Sequence, residues 1–208
     1  MKRCIIIGAG EFYEKTWDCE KEDFLIAADG GFEHLRRMGV IPNLLIGDMD
    51  SIEQEYTGLE VEVKRLPREK DDTDMLAAIK EGLAQGCKEF IIYGALGGER
   101  IDHSIANLQC LLYLHQHGAK GILYGAHDRI ELLCNGKIEY PATMKGILSV
   151  FAFFGDAKGV TEQGLKYSVQ DTTIKMEFPI GISNEFIGQE SMIEVKDGML
   201  LICIHEID

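Results

Sequence analysis

The chain has 208 residues, of which 46% are hydrophobic and 27% are charged, and it contains 23 glycines and 4 prolines. This composition is ordinary for a globular α/β protein of one or two domains and excludes a disordered or fibrous chain. A formal net charge of −14 makes nucleic acid and anionic membranes poor partners. No apolar run is long enough for a membrane span or a signal peptide, and the 6 cysteines show no metal-binding spacing, so we expect a cytoplasmic protein.

Short apolar runs alternate with helical patterns through residues 1–126. The predicted strands are RCIIIGA, DFLIAAD, NLLIGD, VEVKRL, EFIIYGA and GILYGA. The predicted helices are GFEHLRRMG, DTDMLAAIKEGLAQG and DHSIANLQCLLYLHQHG. Such a βαβ series predicts an α/β domain with a doubly wound, mainly parallel sheet and flanking helices.

The pattern changes in residues 127–208, where strands follow one another with turn residues between them. The predicted strands are RIELLC, KIEY, GILSVFAFF, GLKYSV, TTIKMEF, SMIEVKDG and MLLICIHEI. The dipeptides Asn135-Gly136 and Asp197-Gly198 are typical of tight hairpins. This half of the chain is therefore predicted to be an antiparallel β-domain.

Aspartate and glycine recur directly after the apolar runs of the first domain, at the edge where parallel sheets bind ligands. Carboxylates crowded along one edge require cations. Because Mg²⁺ is typically held by one or two carboxylates together with substrate phosphates, a magnesium site is predicted. Asp48 and Asp50 are the leading pair of ligands, because side chains two positions apart in an extended chain point to the same side. The residues along this edge are Asp29, Gly30, Gly31, Asp48, Asp50, Ser51, Asp71, Asp72, Asp74, Arg100, Asp102 and His103.

Each of these groups also has a purely structural interpretation. Asp48 and Asp50 could belong to a loop turn in front of a helix that Ser51 caps. The DDTD run could cap and favour the start of the next helix. Arg100 could be an ordinary exposed cation.

The stretch GALGGERIDH contains Gly97 and Gly98, which let backbone N–H groups approach an anion in front of a helix. Arg100 suits bidentate phosphate recognition, and Asp102 and His103 either orient it or begin the helix. The stretch matches neither GxGxxG nor GxxxxGK[ST], and GAGEF near the start of the chain lacks the third glycine. It therefore indicates an anion site without identifying the ligand.

The strings ADGG, GDMDS, DDTD and GGERIDH, followed by GLKY and GISNEF, resemble the thiamine pyrophosphokinase family in order and spacing. The resemblance covers nearly the whole chain. It implies an α/β domain joined to a C-terminal β-sandwich, a homodimer, and transfer of pyrophosphate from ATP to thiamine with release of AMP. It further implies Mg²⁺ ligands at Asp48, Asp50 and Asp74, with Asp29, Asp72, Arg100 and Asp102 on the ATP side.

In the β-domain, the resemblance assigns Tyr167 to stacking on thiamine and assigns Ser183 and Asn184 to the pyrimidine portion. Taken alone, Tyr167 is typical of core or cross-strand packing. The resemblance also implies that the thiamine pocket lies between two subunits. Asp72 and Asp102 are both candidates to accept the proton of the thiamine hydroxyl.

Two rival functions remain open from the sequence. One is pyrophosphate transfer to another hydroxymethyl heterocycle, such as a pterin. The other is a thiamine or nucleotide sensor that does no chemistry. The strings GLKY and SNEF favour thiamine over the pterin, and the concentration of carboxylates favours an enzyme over a sensor.

Overall fold

The computed structural model describes residues 2–49, 60–69, 71–98 and 100–206. The chain divides into two units, Met1–Ala126 and His127–Asp208. The predicted ligand Asp50 and the predicted helix SIEQEY lie outside the described residues.

Within the described residues, the first unit contains a sheet of six parallel strands in the order β4-β3-β2-β1-β5-β6. Most positions of β1, β2 and β3 are buried, as expected for strands covered on both faces. The strands are β1 (Arg3–Ile7), β2 (Phe24–Ala28), β3 (Leu44–Gly47), β4 (Glu62–Arg65), β5 (Glu89–Tyr93) and β6 (Lys120–Tyr124).

The described part of the first unit has three α-helices, α1 (Gly31–Met38), α2 (Asp74–Ala84) and α3 (Ile101–Gln116), and a short 3-10 turn, Glu14–Thr16. Helix α1 packs on β1 and β2, α2 packs on β1, β2 and β3, and α3 packs on β6 and on α2. None of the described helices is long and apolar enough to cross a membrane. The predicted α/β character, with a central sheet, is confirmed.

Every strand pair within the second unit is antiparallel over the described residues. The order is β10-β9-β12-β7, and β12 also pairs with β8, which pairs with β11. Residues from most of these strands share one apolar core. The strands are β7 (Asp128–Tyr140), β8 (Ile147–Phe151), β9 (Ala157–Gln163), β10 (Val169–Ile174), β11 (Asn184–Glu185) and β12 (Ser191–His205).

The two predicted hairpins at Asn135-Gly136 and Asp197-Gly198 are wrong. Both dipeptides lie inside long strands, where the register between β7 and β12 shifts across residues 195–199. The N–H of Gly198 donates to the Asn135 side-chain oxygen at 2.9 Å, and Asn135 has a φ of 42°. Residues that tolerate positive φ serve a β-bulge as well as a turn, and here they absorb an irregularity without reversing the chain.

The strand predicted at GLKYSV is also corrected. This segment makes an isolated bridge between Leu165 and Phe186, and β10 begins at Val169. The preceding strand β9, over AKGVTEQ, was not predicted, because its buried positions include the polar Thr161 and Glu162. Polar residues at buried positions conceal a strand from a hydrophobic pattern.

Candidate active site

A cavity of about 520 Å³ opens at the carboxyl ends of β1, β2 and β5. In the strand order, the chain runs from β1 outward to β4 and then returns to the other side of β1 with β5. Open α/β sheets bind ligands at such a switch point. The cavity is lined by Gly8, Ala9, Gly10, Ala28, Asp29, Thr73, Asp74, Met75, Gly94, Ala95, Gly97, Gly98, Arg100, His103, Ala106 and Asn107.

Two glycine loops form part of the cavity wall, one after β1 and one after β5. The N–H of Gly8 donates to the Tyr93 carbonyl at 2.8 Å, and the N–H of Gly10 donates to the Gly94 carbonyl at 3.0 Å. A Cβ atom at Gly94 would meet the Gly8 oxygen at 2.3 Å, and Gly94 has a φ of +61°. Side chains are excluded at this contact, so backbone lines the cavity here, which suits close approach of a phosphate.

Two helices begin at the cavity. Thr73 caps α2, with its hydroxyl oxygen accepting from the Leu76 N–H at 3.1 Å, and Asp74 occupies the first turn. Arg100 and His103 stand at the start of α3. Helix N-termini present free N–H groups and a partial positive charge, so both helices favour an anion in the cavity.

Asp29 carries an unusual carboxylate. One of its side-chain oxygens, Oδ1, is buried and has no hydrogen-bond partner in the described structure. Its backbone is held by a bond to the Ile46 carbonyl at 2.8 Å, and Gly47 lies against its Cα. A buried unpaired oxygen costs about 1–3 kcal/mol, which a bound cation at this position would offset.

The carboxylates at the cavity fit a magnesium ion in donor chemistry. No group of three or more His, Cys, Asp or Glu residues in the described ranges forms a ready metal site. Mg²⁺ needs only one or two carboxylates when phosphates supply the other oxygens. Asp29 and Asp74 line the cavity, while Asp48 is half-buried just after Gly47.

The Arg100 guanidinium binds the Asp102 carboxylate, with Nε to Oδ1 at 3.2 Å and a second, shorter contact between Nη2 and Oδ2. The carboxylate raises the pKa of Arg100, and the guanidinium lowers the pKa of Asp102. Asp102 is thereby kept ionised and is a weak proton acceptor. Both side chains are largely exposed, so a ligand can reach the guanidinium.

Asp72 pairs with Lys80, and neither residue lines the cavity. The Lys80 ammonium binds both Asp72 oxygens, at 2.6 and 2.8 Å, and the carboxylate raises the pKa of Lys80. Both side chains are partly exposed, so the pair adds little to the stability of helix α2.

The structure brings together only part of the set predicted from the sequence. Asp29, Asp74, Gly97, Gly98, Arg100 and His103 line the cavity, whereas Gly30, Asp48, Asp72 and Asp102 do not. Gly8 and Gly10, which belong to the GAGEF string, were not predicted as wall residues. Asn107 was not predicted either; it is a buried residue of α3 whose side-chain N–H donates to the Ala95 carbonyl at 2.7 Å. A polar residue on the buried face of a helix is the pattern that could have revealed it.

In the second unit, the three predicted thiamine residues lie close together. Tyr167 is 60% exposed, and Asn184 is 6% exposed. The Asn184 side chain bonds the Tyr167 backbone twice, accepting from its N–H at 2.9 Å and donating to its carbonyl at 2.7 Å. Ser183 is exposed, has a φ of 60°, and donates its N–H to the Ser149 hydroxyl at 3.1 Å.

A parallel sheet with a glycine-walled cavity at its switch point, two helix N-termini and an arginine defines a class of α/β proteins that bind phosphorylated ligands. Comparison with known proteins narrows the class. Residues 13–123 match the family described as thiamin pyrophosphokinase, catalytic domain, and residues 136–200 match thiamin pyrophosphokinase, vitamin B1 binding domain. The chain belongs to the thiamine pyrophosphokinase family.

Individual relatives agree with this assignment. The chain is 30% identical over 182 residues to thiamine pyrophosphokinase of Bacillus subtilis, covering 85% of each protein. A crystal structure of the thiamine pyrophosphokinase from Bacillus subtilis superposes with a TM-score of 0.90 at 25% identity, over 100% of both chains. The thiamin pyrophosphokinase of Candida albicans has the same fold, with a TM-score of 0.82 at 16% identity, over 99% of this chain and 89% of that one.

Proposed function

We propose that this chain transfers the pyrophosphoryl group of ATP to the hydroxyl of thiamine, giving thiamine diphosphate and AMP. The observation that carries the proposal is the glycine-walled cavity in the half of the chain that matches the catalytic domain. It offers an anion three favourable features, which are a backbone wall that a phosphate can approach closely, two helix N-termini and Arg100.

We propose a doubly wound layout for residues 1–126 and a β-sandwich for residues 127–208. Crossover connections between parallel strands are almost always right-handed. Applied to the order β4-β3-β2-β1-β5-β6, this rule places α1 on one face of the sheet and α2 and α3 on the other. Strands β9 and β8 pair with different parts of the long strand β12, and residues from all three strands share one apolar core. This arrangement supports two sheets packed around that core.

The first unit would bind ATP and magnesium, and the second would bind thiamine. Asp48, Asp50 and Asp74 are the proposed Mg²⁺ ligands, with Asp29 beside them. Support comes from the unpartnered Asp29 oxygen and from Asp74 at the cavity. When bound, Mg²⁺ neutralises phosphate charge and fixes the orientation of the phosphate oxygens.

The chemical step is an in-line displacement at the β-phosphorus of ATP. The oxygen of the thiamine hydroxyl forms the new bond to phosphorus, the bond to the bridging α,β-oxygen breaks, and AMP leaves with that oxygen. Arg100 stabilises the charge that develops on the phosphate oxygens, and the glycine loops and helix N-termini hold the phosphates in place. Of the two carboxylates considered for the thiamine hydroxyl, Asp102 is favoured, because it pairs with Arg100, which lines the cavity, whereas Asp72 pairs with Lys80. Since the guanidinium makes Asp102 a weak proton acceptor, its proposed role is to orient the hydroxyl, whose proton is released to water.

Tyr167 and Ser183 are the proposed direct contacts for thiamine. An exposed aromatic ring suits the cationic thiazolium or the flat pyrimidine.

We also propose a homodimer in which the active site lies at the subunit interface. The exposed apolar residues of the second unit support it, since a monomer rarely leaves so many uncovered: Tyr167, Met176, Phe178, Ile180, Ile182 and Ile187. The six free cysteines support work in the cytoplasm.

The test is AMP release from Mg²⁺-ATP by the purified chain, with and without thiamine, together with mass detection of thiamine diphosphate. We expect AMP and thiamine diphosphate in equal amounts, and only when thiamine is present. If AMP is released with a pterin alcohol and not with thiamine, the proposed ATP site stands and the proposed acceptor is wrong. Tight thiamine binding with no turnover would indicate a sensor.

A further inference from the structure

The side-chain amide of Asn184 uses all of its hydrogen-bonding capacity within the chain. Its oxygen accepts from the N–H groups of Tyr167 and Glu185, at 2.9 and 3.0 Å. Its nitrogen donates to the Tyr167 carbonyl at 2.7 Å and to a Glu162 carboxylate oxygen at 2.9 Å. An amide has two donor and two acceptor positions, so none is left for a ligand. Only this orientation of the amide satisfies all four partners.

Glu162 is the side-chain partner that fixes the amide. It lies on β9, is 4% exposed, and its pKa is raised by burial. A buried carboxyl group is costly unless it is hydrogen-bonded, and natural chains avoid it where an apolar residue would serve. Packing alone therefore does not explain a glutamate at position 162.

The bond from Glu162 extends to the segment that carries Tyr167. Asn184 holds Tyr167 at both backbone groups, and the neighbouring Lys166 donates its N–H to the Glu185 carbonyl at 3.0 Å. The segment that carries the exposed Tyr167 ring is therefore connected to the buried Glu162 carboxyl group through the Asn184 amide. Without its acceptor, one Asn184 N–H would be buried and unsatisfied, and three bonds instead of four would hold the amide against Tyr167 and Glu185.

We propose that Glu162 is a positioning residue for thiamine, which acts through Asn184 to hold Tyr167 and the adjacent Ser183 in the binding geometry. This inference rests on the proposed function and assigns to Asn184 a supporting role instead of a direct contact with the pyrimidine. It makes thiamine affinity depend on a residue that does not touch thiamine. ATP binding in the other unit should not depend on it.

The test compares three substitutions of Glu162 with a matched control. Glu162→Gln keeps an oxygen that can accept from Asn184, whereas Glu162→Leu removes it and Glu162→Asp withdraws it by one methylene. Thr161→Val is the control: Thr161 directly precedes Glu162 on β9, is 6% exposed, and accepts from the Asp171 N–H at 3.1 Å. Thiamine Kd is measured by calorimetry, the KM values for thiamine and ATP by AMP release, and stability by thermal unfolding.

For Glu162→Leu and Glu162→Asp we expect the Kd and KM for thiamine to rise about tenfold, as for loss of one buried hydrogen bond. The KM for ATP and the value of kcat should stay within about threefold of the parent, as for an effect on thiamine binding alone. Glu162→Gln should have the same Kd and KM for thiamine as the parent. Thr161→Val should lower the stability without changing either value.

The proposal would be overturned if Glu162→Leu and Glu162→Asp had the same Kd and KM for thiamine as Thr161→Val at an equal loss of stability. It would also be overturned if a folded Glu162→Gln failed to restore thiamine binding. If Glu162→Leu does not fold, the Asp and Gln variants decide. Thiamine binding without turnover in the parent would defeat the proposed reaction and leave the Kd comparison intact, whereas a parent that binds no thiamine defeats both.

Discussion

Replacing Gly94 by alanine tests the contact between the two glycine loops. The new Cβ would stand 2.3 Å from the Gly8 oxygen, which cannot retreat freely because Gly8 and Gly10 bond to the backbone of β5 and its loop. Gly94 also has a φ of +61°, where an L-residue costs about 1–2 kcal/mol. Overpacking adds about 1–3 kcal/mol, so Gly94→Ala should lower the free energy of unfolding by about 2–5 kcal/mol.

Gly86→Ala supplies the control for the backbone cost alone. Gly86 has a φ of +81°, and a Cβ there would meet nothing within 4 Å. The difference between the two variants therefore isolates the steric cost, about 1–3 kcal/mol. Urea unfolding followed by the fluorescence of Trp17 measures it, because Trp17 is the single tryptophan and packs on Tyr93, the residue before Gly94. Equal destabilisation by both substitutions would refute the close contact.

Three further predictions concern single side chains. Asp74→Asn should lower turnover about 100-fold in the AMP-release assay, as for loss of a charged group that acts on the phosphates. Asp72→Asn, the matched neighbour held by Lys80, should stay within about threefold, and equal losses would contradict the placement. Arg100→Met should also lower kcat about 100-fold while leaving the urea midpoint unchanged, because exposed ion pairs add little stability; a shifted midpoint would indicate a structural role. Because burial raises the pKa of Glu162 above 4.5, the folded chain holds this proton more tightly than the unfolded chain. The parent should therefore lose stability relative to Glu162→Gln as pH rises above that value; melting curves between about pH 4 and pH 8 measure this, and a constant difference would contradict it.

The sequence predicted the central strands of the first unit well because β1, β2 and β3 are buried along most of their length. Runs such as CIII in β1 and FLIAA in β2 need little context to be recognised, and the helices between them follow from their own apolar periodicity. The residues at the edge of the sheet followed from the same reasoning. Asp29, Asp74 and Arg100 were predicted from their positions after the strands, and all three line the cavity.

The second unit was harder, because its decisive features are long-range. Asn135 and Gly198 have the chemistry of turns, but their positions opposite each other on β7 and β12 make them a bulge. Glutamate is mostly exposed in proteins, but Glu162 is buried, and its partner Asn184 lies 22 residues further along the chain. Local sequence does not specify which distant strand will cover a residue.

The glycine pattern shows why motif matching alone did not identify the wall of the cavity. A dinucleotide fingerprint places three glycines in one loop, where they form the turn and the wall together. Here β1 and β5 are neighbours, so their two loops share one space, and the requirement for glycine is divided between Gly8 and Gly10 on one side and Gly94 on the other. Each loop alone is an incomplete motif. The parallel pairing of β1 with β5, which brings together residues more than 80 positions apart, makes the wall complete.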